Sequence, residues 1–324
     1  MNVVVTGSIA HDELMRFDGR FVEHLIPEQL HRLSVSFLVS DFERRRGGNA
    51  ANMCFGMAQL GLRPILVGAV GPDFDDYRSW LDRHGVDTES VHVSPERYTA
   101  RFVCTTDADD NQIATFYAGA MADARDIELR PVAARVGRLD LLVVGPNDPE
   151  AMLRHTREAR DEGIPYLADP SQQLSSLHGD EIRELVRGAR YLVTNDYEAA
   201  LLESKTGWSR DEVLAQVGVR VTTHGPDGCV IERAREEPIK VAAAPEESSL
   251  DPTGVGDAFR AGFVAGQAWG LDLERSAQVG SLLATHALEH VGPQEYELDR
   301  ARFLARFGAA FGDAAAAEVG ECLS

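Results

Sequence analysis

Asp140-Leu-Leu-Val-Val-Gly145 is followed by a polar, helix-like stretch over 148–162 and then by Tyr166-Leu-Ala-Asp169. An apolar run closing on glycine, a helix and a second apolar run make one strand–helix–strand unit. Strands joined through a helix run parallel, because a hairpin reverses the chain. The same alternation extends in both directions. Runs at 2–6, 65–70, 191–193 and 220–223 read as strands, ending at or near Gly7, Gly71, Thr194-Asn195 and Gly225. Helices are expected at 49–60, 75–84, 179–186 and 196–206. The pattern predicts an α/β fold, a central and mostly parallel sheet flanked by helices on both faces. Ligands in such sheets bind at the carboxyl ends of the strands, where these polar and glycine residues fall.

Two segments, 33–46 and 99–117, are β-prone instead. Ala100-Arg-Phe-Val-Cys-Thr-Thr106 and Gln112-Ile-Ala-Thr-Phe-Tyr117 flank a turn cluster at 107–111. They are expected to form a small antiparallel β-sheet lid, inserted at about 11–46 and 97–118 into a single domain spanning 1–324. A flap over a site, an edge extension and a dimer contact all suit such an appendage. The residues from 300 onward read as one alanine-rich helix. No internal repeat and no long linker is present.

The chain has 324 residues, with 32 basic against 52 acidic, a net charge of −20. That balance argues against nucleic acid or an anionic membrane as partner, although a soluble, self-repelling surface explains it equally well. There is no N-terminal apolar core of a signal peptide and no run of 18 apolar residues. Cys54, Cys104, Cys229 and Cys322 have no metal spacing and read as reduced thiols, so a cytoplasmic location is expected. Lys205 and Lys240 are the only lysines, and no P-loop occurs. Phosphates, if bound, must meet backbone N–H groups, arginine or a metal ion.

Asp251-Pro-Thr-Gly-Val-Gly-Asp-Ala-Phe259 places a carboxylate beside Gly254 and Gly256, at the mouth of a helix expected over 258–269. The unsatisfied N–H groups of a helix start form an anion site, and an adjacent acid can take a proton from a hydroxyl. This suits phosphoryl transfer. The helix start is expected to keep Asp257 ionised; a simple cap is the plainer reading, but a cap does not require two glycines. Gly47-Gly-Asn-Ala-Ala-Asn52 opens a small-residue helix, either with Asn49 as its cap or with Asn52 facing a ligand. In Gly7-Ser-Ile-Ala-His-Asp12, Ser8 and Asp12 can hold vicinal hydroxyls or cap a turn. Asn195-Asp-Tyr-Glu198 reads as a capping box or as an outer-shell Mg²⁺ site. Thr222-Thr-His-Gly-Pro-Asp-Gly228 is a turn that either cradles phosphates or simply reverses the chain. No Gly-x-Gly-x-x-Gly fingerprint occurs, which weakens a dehydrogenase reading.

In this order along the chain, the motifs resemble those of the ribokinase-like sugar and nucleoside kinases, the PfkB family. Gly7-Ser-Ile-Ala with Asp12, Ala168-Asp-Pro-Ser-Gln-Gln173, Thr194-Asn-Asp-Tyr-Glu198 and Asp251-Pro-Thr-Gly-Val-Gly-Asp-Ala-Phe-Arg260 resemble in particular the adenosine kinases of the mycobacterial type. The resemblance implies ATP-dependent phosphorylation of the adenosine 5′-hydroxyl. It makes Asp257 the base, with the backbone of Gly254 to Asp257, Gly256 included, as the anion hole. Ser8, Asp12, Gly48 and Asn52 would hold the ribose. Phe102 and Phe116, with Gln172 and Gln173, would recognise adenine; an aromatic face and amide edges independently suit a purine. Asn195, Thr223, Gly225, Pro226 and Gly228 would contact ATP, although His224 stands where an apolar residue is expected. Glu198 would hold Mg²⁺ through water, and a monovalent cation (K⁺) would lie near Asp251, Thr253 and residues 291–294. A sugar kinase and a non-catalytic nucleoside-binding regulator are the alternatives. Exposed lid edges suggest a homodimer through the lid.

Overall fold

The computed structural model describes residues 1–25 and 27–323. Eight strands build the main sheet: β1 (Val3–Thr6), β4 (Ile65–Val67), β9 (Leu141–Val144), β10 (Tyr166–Ala168), β11 (Tyr191–Asn195), β12 (Val219–Thr223), β13 (Cys229–Glu232) and β14 (Ile239–Val241). Their order is β14-β13-β12-β11-β10-β9-β1-β4. The pairs from β4 to β12 are parallel, and β13 and β14 are added antiparallel. The expected mostly parallel sheet is therefore present.

Each central strand is apolar at successive positions because both its faces are covered. Val3, Val5, Leu141, Val143, Leu167 and Val193 point into one core. That core is shared with α2 (Asn49–Gln59), α3 (Asp75–Arg83), α9 (Val255–Trp269), α10 (Leu273–Leu288), α11 (Arg300–Phe311) and α12 (Asp313–Cys322). Val4, Leu142, Val144, Ala168 and Leu192 point the other way. They meet α4 (Leu129–Val136), α5 (Pro149–Asp161), α6 (Gly179–Val186), α7 (Asp196–Thr206) and α8 (Arg210–Leu214). Caps start these helices where the sequence signals them. Asp148 accepts from the N–H groups of Glu150 and Ala151 ahead of Pro149, and Asn195 with Glu198 forms a full capping box.

A second sheet of four strands has the order β3-β2-β7-β8, with β2 (Ala10–Arg16), β3 (Asp41–Gly47), β7 (Ala100–Thr106) and β8 (Gln112–Tyr117). One short helix, α1 (Phe21–His24), follows β2. This sheet is not purely antiparallel, since β2 and β7 run parallel. Strand β2 is invisible in the sequence pattern, because its pairing residues lie some ninety positions away in β7, from Ala10 opposite Ala100 to Arg16 opposite Thr106.

Three expectations are corrected. The strand expected at 65–70 is cut at Gly68, and its second half, β5 (Ala69–Val70), pairs with β6 (His92–Val93) instead. At Gly68 a Cβ would lie 2.8 Å from the Gly7 carbonyl oxygen, so the two backbones touch there. Of the β-prone stretch 33–46, only 41–46 joins a strand, β3; the Ser40 N–H donates to the Arg16 carbonyl, and residues 33–39 pair with no strand among the described residues. The single helix expected from 300 onward is broken at Gly312, whose φ of 96° is not helical.

Candidate active site

Helices α2 and α9 both start at the carboxyl end of the sheet, and each starts behind a glycine with positive φ, 95° at Gly48 and 76° at Gly254. A Cβ on Gly48 would lie 2.6 Å from the Ile9 Cα, and one on Gly254 would lie 2.5 Å from the Pro293 Cβ. Neither position admits a side chain, so the two helix starts lie close beneath their entry loops. Helix α9 begins at Val255, three residues earlier than the sequence suggests. Asp257 therefore lies inside the first turn and not ahead of it. No side chain caps α9; the Val255 N–H donates to the Pro252 carbonyl at 3.3 Å, which leaves the N–H groups of Gly256 and Asp257 without a partner among the described residues.

Two amides from α2 hold the Asp257 carboxylate. Asn49 Nδ2 donates to Oδ1 at 2.5 Å, and Asn52 Nδ2 donates to Oδ2 at 2.8 Å. The Asn49 amide also reaches Asp169 Oδ2 at 3.3 Å. Asp169, fully buried at the end of β10, forms an ion pair with Arg260, whose Nε lies 2.9 Å from Oδ2, and its Oδ1 accepts from the Ser171 hydroxyl at 2.6 Å. Arg260 lies one turn after Asp257 and also approaches Glu198 Oε2 at 3.5 Å. Burial pushes the Asp257 carboxyl up to about 6, with the charge of Asp169 acting in the same direction. The Asn52 and Asn49 amides and Arg260 oppose the shift. The helix start alone thus does not keep Asp257 ionised throughout the usual carboxylate range. Its carboxylate is ionised mainly above about pH 6.

Several expected roles change in detail. Asn49 is not the cap of α2; Gly48 occupies that position, and the Ser8 Oγ accepts the Asn49 N–H at 3.0 Å. Ser8 thus serves the start of α2, and its hydroxyl hydrogen can still donate to a ligand. Asn52 is engaged at both ends of its amide, donating to Asp257 and accepting from Gln294 Nε2 at 2.8 Å. It orients the carboxylate. The Asn195–Glu198 capping box is formed: the Glu198 N–H donates to Asn195 Oδ1, while the Asn195 N–H and Arg260 Nη2 both approach Glu198 Oε2. The other oxygen of Glu198 takes no protein donor among the described residues, which fits an outer-shell partner of hydrated Mg²⁺. Asp251 does not fit as a cation ligand. Its Oδ2 accepts from Arg45 at 2.9 Å and from the Gly292 N–H at 3.0 Å, and its Oδ1 accepts from the Thr253 N–H at 2.9 Å. Burial alone would raise its pKa, but the hydrogen bonds from Thr253 and Gly292 and the charge of Arg45 hold it below the usual value.

On one side of Asp257 lies a cavity of about 730 Å³. Asn195, Thr223, Gly225, Pro226 and Gly228 line it together, and Val255 and Gly256 of the α9 start close one end. His224 lies beside it, with Nδ1 2.6 Å from Asp196 Oδ1. A similar hollow of about 790 Å³ lies beyond the amino end of β9, between Arg138, Arg154 and Glu158. Its charges largely pair with one another, and it is far from the carboxyl-end residues just described.

On the other side stands the four-stranded sheet. Arg45, Asp12, Phe102 and Phe116 form one register row across β3, β2, β7 and β8. Arg45 turns this face toward Asp251, and the Asp12 carboxylate lies over Gly47, where a Cβ would meet its Oδ2 at 2.6 Å. Burial raises the Asp12 pKa to about 6, against the lowering effect of Arg45. Phe116 is exposed. Gln172 and Gln173 lie elsewhere, after β10; Gln172 is exposed and Gln173 Nε2 donates to the Asn147 carbonyl at 2.7 Å. No hydrogen bond or ring contact among the described residues joins them to the two phenylalanines.

The pattern of the pfkB family of carbohydrate kinases matches residues 3–300. The chain belongs to that family. A nucleoside kinase of Methanothermobacter thermautotrophicus is 32% identical over 314 residues, covering 96% of this chain and 97% of the relative. The solved nucleoside kinase of Burkholderia thailandensis in complex with inosine is 37% identical, with a TM-score of 0.83 over 96% of this chain and 98% of that one. The same enzyme with ADP-inosine gives 38% identity and a TM-score of 0.81, covering 96% of each chain. The fold is accordingly the ribokinase-like α/β fold.

The sequence reading of this kinase gave no role to the side chains of Asp169, Arg260 or Arg45, and named Gln294 only within the cation loop at 291–294. Arg260 carried a signal, since a charged residue three positions after Asp257 interrupts a small-residue, apolar helix. Asp169, Gln294 and Arg45 carried none, because their partners are distant in sequence. The pH profile tests the arrangement around Asp257. Turnover should be retained above pH 6 and fall below it as the carboxylate protonates. Asn52→Leu removes a hydrogen bond that lowers this pKa, so the acid limb of kcat should move to higher pH. A limb that stays in place would assign the titration to another group.

Proposed function

We propose that this kinase transfers the γ-phosphoryl group of ATP to the 5′-hydroxyl of a nucleoside, with adenosine as the acceptor and AMP and ADP as products. The observation that carries the reading is the position of Asp257. Its carboxylate is held by two amides inside an uncapped helix start, between a cavity suited to a nucleotide and a sheet face bearing a carboxylate and two phenylalanines. Relatives named nucleoside kinases across nearly the full length support the acceptor class.

In this mechanism ATP lies along Asn195, Thr223 and the Gly225–Gly228 turn, and its γ-phosphate faces the α9 start. Glu198 would hold hydrated Mg²⁺ through water beside the phosphates, where the ion would supply positive charge. Asp12 holds the ribose hydroxyls, together with the backbone at Gly48. Asp257 takes the 5′-hydroxyl proton as the oxygen attacks in line, and the N–H groups around Gly254 and Gly256 stabilise the charge on the transferring group. The four-stranded sheet acts as a lid that excludes water during transfer. Phe102 and Phe116 stack on the base. Gln172 offers both donors and an acceptor, so it can serve adenine or hypoxanthine by reversing its amide, while Gln173, whose Nε2 is held by the Asn147 carbonyl, presents its Oε1 as an acceptor. The inosine-bound relative accordingly favours a second reading, a broader purine nucleoside range.

The lid face opposite Asp12 exposes Phe42, Ile113 and Tyr117, and we assign it to a homodimer. Light scattering coupled to size exclusion should report twice the chain mass; a monomer at micromolar concentration would remove the assignment. ADP release across adenosine, inosine, ribose and fructose tests the acceptor. Adenosine should turn over fastest, and Asp257→Asn should abolish turnover while retaining adenosine binding. A fructose or ribose preference would make the protein a sugar kinase, and tight adenosine binding without turnover would make it a binder. Phe116→Ala should weaken adenosine by about 1–3 kcal/mol, the scale of one base-stacking contact, read as a raised KM. An unchanged KM would place Phe116 outside the pocket.

A further inference from the structure

The turn that opens α9 is tied to the four-stranded sheet by an ion pair. Arg45 of β3 donates from Nη1 to Asp251 Oδ2, while its Nε and Nη2 form a fork to Glu43 at 2.7 and 2.6 Å. The fork fixes the plane of the guanidinium and so aims the remaining nitrogen at Asp251. Both partners are well shielded, with side-chain exposures of 15% for Arg45 and 13% for Asp251. Asp251 is the one formal anion among Asp251, Thr253 and residues 291–294. A cation there would need oxygen lone pairs turned toward it. The carboxylate instead faces a guanidinium and two backbone N–H groups, from Gly292 and Thr253. Its counter-charge is already present and covalently part of the chain.

We propose that Arg45 takes the place of a monovalent cation at Asp251 and couples the lid to the phosphate-binding turn, so that phosphoryl transfer proceeds without K⁺. This rests on the phosphotransferase reading above. An uncompensated Asp251 would stand beside the turn that must accept the negative charge of ATP, and its repulsion would oppose phosphate entry. Arg45 removes that repulsion only while β3 lies against the turn. The same guanidinium is the register partner of Asp12, the carboxylate assigned to the ribose. One side chain therefore stands between the acceptor-holding carboxylate and the α9 start. Arg45 touches neither reacting atom and is a positioning residue.

The test measures ADP release with ATP, Mg²⁺ and adenosine, using either K⁺ or tetramethylammonium as the monovalent cation. The wild type should give the same kcat in both salts. Arg45→Met should lose about ten- to hundredfold in kcat in tetramethylammonium, the scale of one charged hydrogen bond. It should regain part of that loss in K⁺, because removing the guanidinium leaves an anion with room for a cation. Arg45→Lys, which keeps the charge without the fork, should fall between the two. A wild type that needs K⁺, an Arg45→Met variant with unchanged kcat, or a loss that K⁺ does not reverse would each overturn the proposal. A double-mutant cycle of thermal unfolding with Arg45→Met and Asp251→Asn, on ligand-free protein, reads the tie without activity. Non-additive shifts are expected, and additive ones would overturn it. Absence of turnover with every acceptor would instead defeat the phosphotransferase reading, with the cycle still judging the ion pair.

Discussion

In the proposed reaction the carboxylate of Asp257 must be close enough to a buried helix start to serve a phosphoryl acceptor, and still ionised near neutral pH. Those demands conflict, because withdrawing a carboxylate from water raises its pKa. Donors from another helix limit the rise. Asn49 and Asn52 bring their amides to the two oxygens, and Arg260 adds charge from one turn further along α9. The amides reach only because α2 and α9 begin side by side, and both starts pass through glycines that permit positive φ and close backbone approach. The rest of the site is built around that meeting of two first turns.

Charge behind Asp257 is organised around one buried arginine. Arg260 pairs with Asp169 and approaches Glu198, so three carboxylates surround a single guanidinium. A buried pair of this kind offsets its desolvation only with well-made hydrogen bonds, and Asp169 also accepts from Ser171 and Asn49. The local balance remains negative where phosphates would enter. Neither lysine relieves it. Lys205 donates to the carbonyls of Ser175 and Leu177, and Lys240 lies exposed on β14. Helix N–H groups and a metal ion are then the natural sources of positive charge, with Arg45 neutralising Asp251 alongside.

Much of the fold could be read from the chain. The helices at 179–186 and 196–206 and the strand at 166–168 match the structure at both ends, because caps and glycines mark them locally. Strand β2 could not be read that way. Ala10-His-Asp-Glu-Leu-Met-Arg16 has no strong alternation, and it becomes a strand by pairing with β3 and β7. In the site, the residues lining the donor-side cavity had been grouped from separate motifs, and the structure brings them to one wall. Phe102 and Phe116 are register neighbours, whereas Gln172 and Gln173 stand on a different element.

By itself, the sequence determined the parallel α/β class and the two glycine-led helix starts, and placed the acid Asp257 beside the second of them. These depend on local chemistry: apolar runs, caps, backbone freedom and the unsatisfied N–H groups of a first turn. Only the tertiary structure decided which groups hold that acid and how strongly it is perturbed. Asn49 and Asn52 stand some two hundred positions from Asp257, Asp169 nearly ninety, and Arg45 a similar two hundred from Asp251. Hydrogen bonds and desolvation depend on distances of a few ångströms, which a linear chain does not specify until the sheet has brought its carboxyl ends together.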